Sequence, residues 1–382
     1  MRILLVGEYS RLHNSLKEGL QALGHDVQII GTGDYFKNFP VDMRLKRRFD
    51  NGLKKKVKVG IYKLSGIDIS SLNVLQQFFS YDYKLRDHDI VQFINESPLG
   101  IQAIDEKKAI TALKKHNRNI FLLSCGTDYT SVSYAMNNRI RYSIFTPLLE
   151  GRVTTSHYSG ALKYLKSDFK ELHHYLYNDV IQGVIASDMD YHIPLIENKK
   201  YLGLIPNPIN IEKLPFKELE ITDKVVIFMG INRGNFLKKG IDFFEKALEE
   251  IQQKYPNKVE VLTAENLPYE EYIQRYDRAH ILLDQVYSFD QGYNALEAMA
   301  KGKVVFTGAE KEWCEMYGYA EDEVCINALA DVAYLVEKIS WLIQNPQEIK
   351  RIGRNARNFV EQHHDYKKVA KQYIETWRKA ML

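Results

Sequence analysis

Two stretches of the sequence hold residue types suited to a phosphorylated ligand. In MGINRGNFLKKG, residues 229–240, an apolar run ends at Gly230, and Arg233 and Lys239 follow among the glycines 234 and 240. A planar guanidinium and a compact ammonium at that spacing suit a diphosphate. A helix starting just after them would add backbone N–H groups. In DQGYNALEAMAKG, residues 290–302, a turn through Asp290 and Gly292 runs into a helix at Tyr293, Asn294 and Ala295. Glycine lets a ligand approach the backbone, and the first N–H groups of a helix attract anions. Glu297 lies one turn in, and helical side chains lean toward the N-terminus. A carboxylate there would accept two hydrogen bonds from a vicinal diol such as a ribose. Asn294 and Glu297 also fit a capping box, worth about 0.5–2 kcal/mol. Both readings stand at this point.

Other candidates are less specific. VLTAENLPYEEY, residues 261–272, places Glu265 and a loop after an apolar run, where a flat base could rest. In the first half, GEYSRLH (7–13), FINESP (93–98) and SCGTDYTS (124–131) each follow a strand-like run. Gly7, Glu8, Ser10, Glu96 and Asp128 are the candidates there for holding an acceptor. Asp128 would be a contact or base, or equally an Asx-turn or helix cap. His157 could touch the acceptor, although a lone histidine is more often structural. No GxGxxG occurs, so the dinucleotide fingerprint is missing. SDMDY (187–191) contains an Asp-x-Asp pair, but it is remote in sequence from the phosphate candidates, and we expect no metal there. No Ser–His–Asp or Cys–His arrangement is legible.

Elements able to position these residues alternate along the chain. MRILLV, HDVQIIG, HDIVQFI and RNIFLLSCG read as strands, and HNSLKEGLQALG and EKKAITALKKHN read as helices. VKVGIYKL, residues 57–64, also reads as a strand. Residues 130–201 are Tyr-rich and mostly helical, with one strand in DVIQGVIA. IPNPIN, 205–210, is a rigid, extended connector. The pattern then restarts with DKVVIFMG, a helix over 240–254, NKVEVLTA, the helix PYEEYIQRYDRA, HILLDQV, a helix over 293–301 and KVVFTG. This predicts an α/β chain with two Rossmann-like parallel sheets. The expected divisions are 1–206 on the acceptor side, 207–364 on the nucleotide side, and a helix over 365–382 crossing back to the first. That helix sets Tyr366, Ala370, Tyr373, Trp377 and Met381 on one face.

Length and composition narrow the classes. The 382 residues are enough for two domains, and 45% hydrophobic with 26% charged residues fit a soluble globular chain. No apolar run is long enough to span a membrane or to read as a secretory signal. Three scattered cysteines, Cys125, Cys314 and Cys325, argue for a reducing compartment, with the cytoplasm as default. Residues 37–63 hold ten Lys/Arg against two Asp, so +8 of the net +3 lies there and the remainder carries −5. Phe36, Phe39, Met43 and Phe49 are interleaved with these cations. The segment reads as a solvated loop or as a peripheral contact with an anionic surface at the inner face of a membrane. An acidic remainder without a recognition motif argues against nucleic acid.

Four segments in this order resemble the retaining, family-4-like group of GT-B glycosyltransferases. They are IPNPIN, the strand–Gly–Arg233–Lys239–Gly240 run, LPYEEYIQRYDRAHILL, and GYNALEAMAKGKVVFTG. The resemblance implies two domains facing a cleft and a UDP- or GDP-sugar donor with no further cofactor. The acceptor would be a saccharide or a lipid-linked saccharide. Arg233 and Lys239 would neutralise the diphosphate, Gly230 and Gly292–Ala295 would line it, Glu297 would bind the ribose, and residues 263–267 would hold the base. Many members carry a second Glu where this chain has Phe289, and Asp290 is expected to substitute. A nucleotide-sugar epimerase and a non-catalytic nucleotide- or membrane-binding protein are the rival readings.

Overall fold

A computed structural model describes residues 1–34, 38–265 and 269–382. The chain divides into two compact units. The first comprises Met1–Tyr134, Ser156–Pro208 and Tyr366–Leu382, and the second comprises Ala135–Thr155 and Ile209–Asp365. The stretch Ala135–Thr155, assigned by sequence to the first half, therefore clusters with the second.

The first unit is built on seven strands: β1 (Arg2–Val6), β2 (Asp26–Gly31), β3 (Met43–Arg44), β4 (Ile90–Phe93), β5 (Ile120–Ser124), β6 (Gly183–Ala186) and β7 (Tyr201–Leu204). Their order is β3-β2-β1-β4-β5-β6-β7, and every ladder is parallel. The inner strands are buried and mainly apolar, as suits a sheet covered on both faces. Flanking helices include α1 (Leu12–Ala22), α2 (Gly52–Ser65), α3 (Ile69–Ser80), α4 (Ala103–His116) and α5 (Tyr129–Met136). The terminal helix Tyr366–Ala380 lies against α1 so closely that a Cβ on Gly19 would sit 2.2 Å from the Tyr366 carbonyl oxygen. Tyr366, Ala370, Tyr373 and Trp377 are buried by this docking, whereas Met381 is exposed. Trp377 Nε1 donates to Gln92 Oε1 at 3.2 Å, satisfying an indole inside the core.

The second unit has five parallel strands: β8 (Val225–Ile231), β9 (Val259–Glu265), β10 (Ile281–Leu283), β11 (Val304–Thr307) and β12 (Ile326–Asn327). Their order is β12-β11-β10-β8-β9. Ile227, Ile281, Val304 and Phe306 pack with Phe244 and Leu248 of helix Ile241–Lys254 and with Leu335 and Ile339 of helix Val332–Gln344.

One element departs from expectation. Residues 57–64 belong to α2, not to a strand. The alternation Val57-Lys58-Val59 suggests period two, but Leu53, Val57, Ile61 and Leu64 follow a helical spacing that overrides it. Gly66, at φ 71, ends the helix in the left-handed conformation that glycine adopts without strain.

Candidate functional site

The second unit gathers ionic groups at the carboxyl ends of its middle strands. Lys239 precedes Gly240, whose φ of 65 starts helix Ile241–Lys254. A Cβ on Gly240 would meet Val286 Cγ2 at 2.0 Å, so only glycine brings this turn so near the β10 end. The Lys239 carbonyl accepts from Val286 N at 2.9 Å, fixing the backbone, and Lys239 Nζ donates to Asp284 Oδ1 at 2.8 Å. Asp284 is 3% exposed, and its other oxygen, Oδ2, is buried without a hydrogen bond. A Cβ on Gly292 would lie 3.4 Å from that oxygen. Asp284 thus stands between the Lys239 ammonium and the start of helix Tyr293–Ala300.

That helix has Gly292 as its N-cap and no side-chain cap. The capping box is therefore not formed, because Asn294 already lies inside the first turn. Tyr293, Asn294 and Glu297 are half-buried, and Ala295 is buried. Burial raises the Tyr276 phenol well above its ordinary value, and the nearby charge of Glu297 acts in the same direction.

Arg233 takes a different partner. Its Nε and Nη2 donate to Glu265 Oε1 and Oε2 at 2.8 and 2.7 Å, and the guanidinium lies 4.8 Å over the Phe236 ring. The Glu265 hydrogen bonds raise the Arg233 pKa and lower that of Glu265. The fork is solvent-exposed, so holding it in place is worth little. Arg233 sits beyond the end of β8 and Glu265 ends β9, whereas Lys239 and Asp284 sit beyond the ends of β8 and β10. Each cation expected to meet a diphosphate is thus already paired with a carboxylate. Gly230 lies inside β8, and a Cβ there would come 3.4 Å from the Tyr272 ring. The Thr263 carbonyl accepts from Arg275 Nη1 at 2.7 Å. Asn266 and Leu267 of the expected base loop fall outside the described residues.

Phe289 occupies the position of the second acid and is buried. Tyr142 packs on its ring at 5.1 Å and the Arg141 guanidinium lies 4.7 Å above it. Arg141 and Tyr142 are held in turn by Glu310, and Arg141 is also held bidentate by Glu312 at 2.6 and 2.8 Å. Asp290 is 5% exposed, and its Oδ1 accepts from Gln291 N at 2.7 Å.

The first-unit candidates form a different kind of site. Gly7, at φ 89, turns the chain so tightly that a Cβ would strike Ile94 Cγ2 at 2.3 Å. Glu8 is buried, with Asn14 N donating to its Oε2 at 2.8 Å and with Oε1 unpartnered. Burial pushes its carboxyl up to about 8. Ser10, at φ 50, donates its backbone N–H to Asp34 Oδ2 at 2.9 Å. Asp128 is fully buried: Ser131 N donates to its Oδ1 at 2.7 Å, and Ser124 Oγ donates to Oδ2. It therefore caps α5 rather than offering a carboxylate to an acceptor. Glu96 Oε1 meets His173 Nδ1 at 2.6 Å, and its Oε2 accepts from Tyr129 N at 3.0 Å. Burial raises Glu96, with the His173 hydrogen bond opposing. His157 is exposed in the 3₁₀ turn Thr155–Tyr158. Asp188 of SDMDY caps its helix by accepting from Asp190 N at 3.1 Å. Among the described residues, no group of three His, Cys, Asp or Glu side chains is placed to hold a metal ion.

Two groups were not among the site residues chosen from the sequence. Asp284 carried a signal, an acid ending the apolar run HILL. His173 carried none, because its partner Glu96 is 77 residues away.

The family model described as Glycosyl transferase-like matches residues 237–375. That span contains Lys239, Asp284, Gly292 and Glu297. No curated protein matches the sequence. Several solved structures do match, each at 14% identity. Sucrose-phosphate synthase from Thermosynechococcus elongatus covers 100% of this chain and 99% of its own, with a TM-score of 0.61. HepE from Anabaena, in complex with UDP and glucose, covers 99% and 100% with a TM-score of 0.59. A glycosyltransferase from Rickettsia africae covers 99% and 98% with a TM-score of 0.55. At this identity the likeness establishes the fold, and the fold is α/β with two parallel sheets, as in these GT-B proteins.

Proposed function

We propose that the chain is a glycosyltransferase that moves a sugar from a nucleotide diphosphate to an acceptor hydroxyl, with retention of configuration. The observation that carries this reading is the Lys239–Asp284 pair beside the Gly292-capped helix. As the bond to the sugar breaks, negative charge grows on the leaving diphosphate. Lys239 and the helix N-terminus offer fixed positive charge to it. Preorganised donors of this kind are worth about 10²–10³ in rate. Asp284 holds the ammonium in place before the donor arrives, and Arg233 would exchange Glu265 for the diphosphate. Glu297 would bind the ribose diol, and Asp290 would read the sugar. The matched family model supports the transferase reading, and the structures of HepE with UDP and glucose and with UDP-glucose favour a UDP-sugar over a GDP-sugar donor. The chemistry would need no metal, because protein cations face the leaving group. A saccharide or lipid-linked acceptor in glycan or glycolipid synthesis, in the cytoplasm, completes the reading.

A thermal-shift panel of UDP, GDP, ADP and their sugars tests it, since a ligand that binds the folded state raises the melting temperature by mass action. UDP and one UDP-sugar are expected to stabilise the wild-type protein and to do so less in Arg233→Ala and Lys239→Met. No shift with any nucleotide would end the reading. The same fold occurs in UDP-GlcNAc 2-epimerase from Neisseria meningitidis, at 14% identity and a TM-score of 0.50. Incubating donor without acceptor separates the two chemistries, because only an epimerase would convert it to an isomeric sugar nucleotide.

A further inference from the structure

The helix α2 contains no buried residue, although it carries Leu53, Val57, Val59, Ile61, Tyr62 and Leu64. Leu64 is 92% exposed and Leu53 is 76% exposed. With 100° per residue, Leu53, Val57 and Leu64 fall on one stripe, and Lys56 and Lys63 flank it on the side away from the body of the unit. The inward side is fixed by Lys58, whose Nζ reaches Asp50 Oδ1 at 2.5 Å. Exposed aliphatic side chains on a whole helical stripe are costly in water, at about 25 cal/mol per Å². They mark a surface that something covers.

A second helix continues this surface. Gln102, just before α4, donates from Nε2 to the carbonyl of Gly66, the residue after α2, at 3.0 Å, and its Oε1 accepts from Asp68 N at 2.9 Å. The end of α2 is thereby tied to the start of α4. Ile104, 63% exposed, stands there. Lys107, Lys108, Lys114 and Lys115 share its face and line, with Tyr175, an open hollow of about 800 Å³. The carboxylates nearby are engaged inward. Asp50 holds Arg47 and Lys58, and Asp105 holds Ser71 and Lys108. The face therefore presents aliphatic tips among clustered lysines.

We propose that the face formed by α2 and the lysine row of α4 docks on an anionic lipid surface, with Leu53, Val57 and Leu64 entering the headgroup–acyl boundary. Charge complementarity selects this occupant. An amphipathic helix with lysines flanking an aliphatic stripe lies in the plane of such an interface. Each nearby cation adds about 1 kcal/mol of attraction to an anionic leaflet. A protein partner would have to supply matched acids and an apolar groove at once. A lipid surface supplies both through its composition. The inference is independent of the donor site, and its test involves no turnover.

The full-length protein is floated with vesicles of phosphatidylcholine alone and of equal parts phosphatidylcholine and phosphatidylglycerol. Binding is expected only to the second and is expected to fall steeply in half-molar salt. The triple variant Lys56→Glu, Lys63→Glu, Lys115→Glu should lose more than tenfold in partitioning. The variant Leu53→Ser, Val57→Ser, Leu64→Ser should lose about tenfold. Lys56→Arg, Lys63→Arg, Lys115→Arg should bind like the wild type, separating charge from helix disruption. Circular dichroism melts identify any variant that fails to fold. Failure to float with the anionic vesicles, or wild-type flotation by both the Glu and Ser variants, overturns the proposal. So does a dimer in sedimentation velocity that the Ser variant dissolves while vesicles leave the protein unbound, which would assign the face to a second copy of the chain.

Discussion

The strand ends of the two units carry similar numbers of acids but use them in opposite ways. In the first unit, Glu8, Glu96 and Asp128 are buried and held by neutral or histidine partners. In the second, Asp284 and Glu265 hold the cations Lys239 and Arg233, which remain partly exposed. A buried acid bonded to backbone N–H groups fixes the shape of a turn, and removing it leaves orphaned donors. A carboxylate paired with a partly exposed cation can give that cation up to a more highly charged ligand. The first edge is built to persist and the second to exchange, so substitutions should act on stability in one and on turnover in the other.

The largest expected effect tests the exchanging edge. Lys239→Met should lower transfer about 10²–10³-fold with donor bound, because the growing charge on the diphosphate loses a fixed cation. The melting temperature should move much less than the rate. A variant that unfolds instead would place Lys239 in the structural class and break the contrast. Adding Asp284→Asn should recover any lost stability, since it removes the uncompensated buried charge, without restoring turnover.

Next comes the persisting edge. His173→Ala removes the partner of a buried carboxylate and should cost roughly 1–3 kcal/mol in urea unfolding. Turnover per folded molecule should stay within a few-fold of wild type. Unaltered stability with abolished transfer would instead make Glu96 and His173 an acceptor site and erase the distinction.

A smaller effect separates Arg233 from Glu265. Arg233→Ala should weaken UDP binding about tenfold, the scale of a lost charge-assisted hydrogen bond. Glu265→Gln should tighten it, because the guanidinium no longer has to leave a carboxylate. Titration calorimetry reads both. If Glu265→Gln weakens binding as much as Arg233→Ala does, Glu265 contacts the nucleotide directly and the exchange is wrong.

The sequence disclosed most of what depends on local pattern. Strand–helix alternation located both sheets, and the glycines at 234 and 240 marked a turn after β8. It failed where two periods competed, as in α2, since a Val-Lys-Val alternation is visible at once and a helical stripe only over three turns. It also could not assign partners. Whether Lys239 meets Asp284 or solvent depends on which strands flank β8, and that β10 lies on one side and β9 on the other is decided by the packing of the whole sheet. The cap at Asp128 and the absence of one at Asn294 turn on helix starts shifted by one or two residues, the least legible feature of any sequence.

The subtlest test concerns Glu8. Its carboxyl is pushed from 4.5 up to about 8 by burial, with the Asn14 hydrogen bonds opposing. Between those values the folded state holds a proton that the unfolded chain has released. The native state thus binds more protons than the unfolded one, and this group's contribution to stability falls as pH rises through that window. Below 4.5 and above 8 its contribution is flat. Glu8→Gln keeps an oxygen to accept from Asn14 and carries no charge, so it should unfold with a gentler loss of stability between pH 5 and 8. The quantity to measure is the difference in urea midpoint between wild type and variant, taken at several pH values so that other titrating groups cancel. That difference should grow in the variant's favour as pH rises. A pH-independent difference would mean that Glu8 ionises freely, and the first unit's edge would then resemble the second.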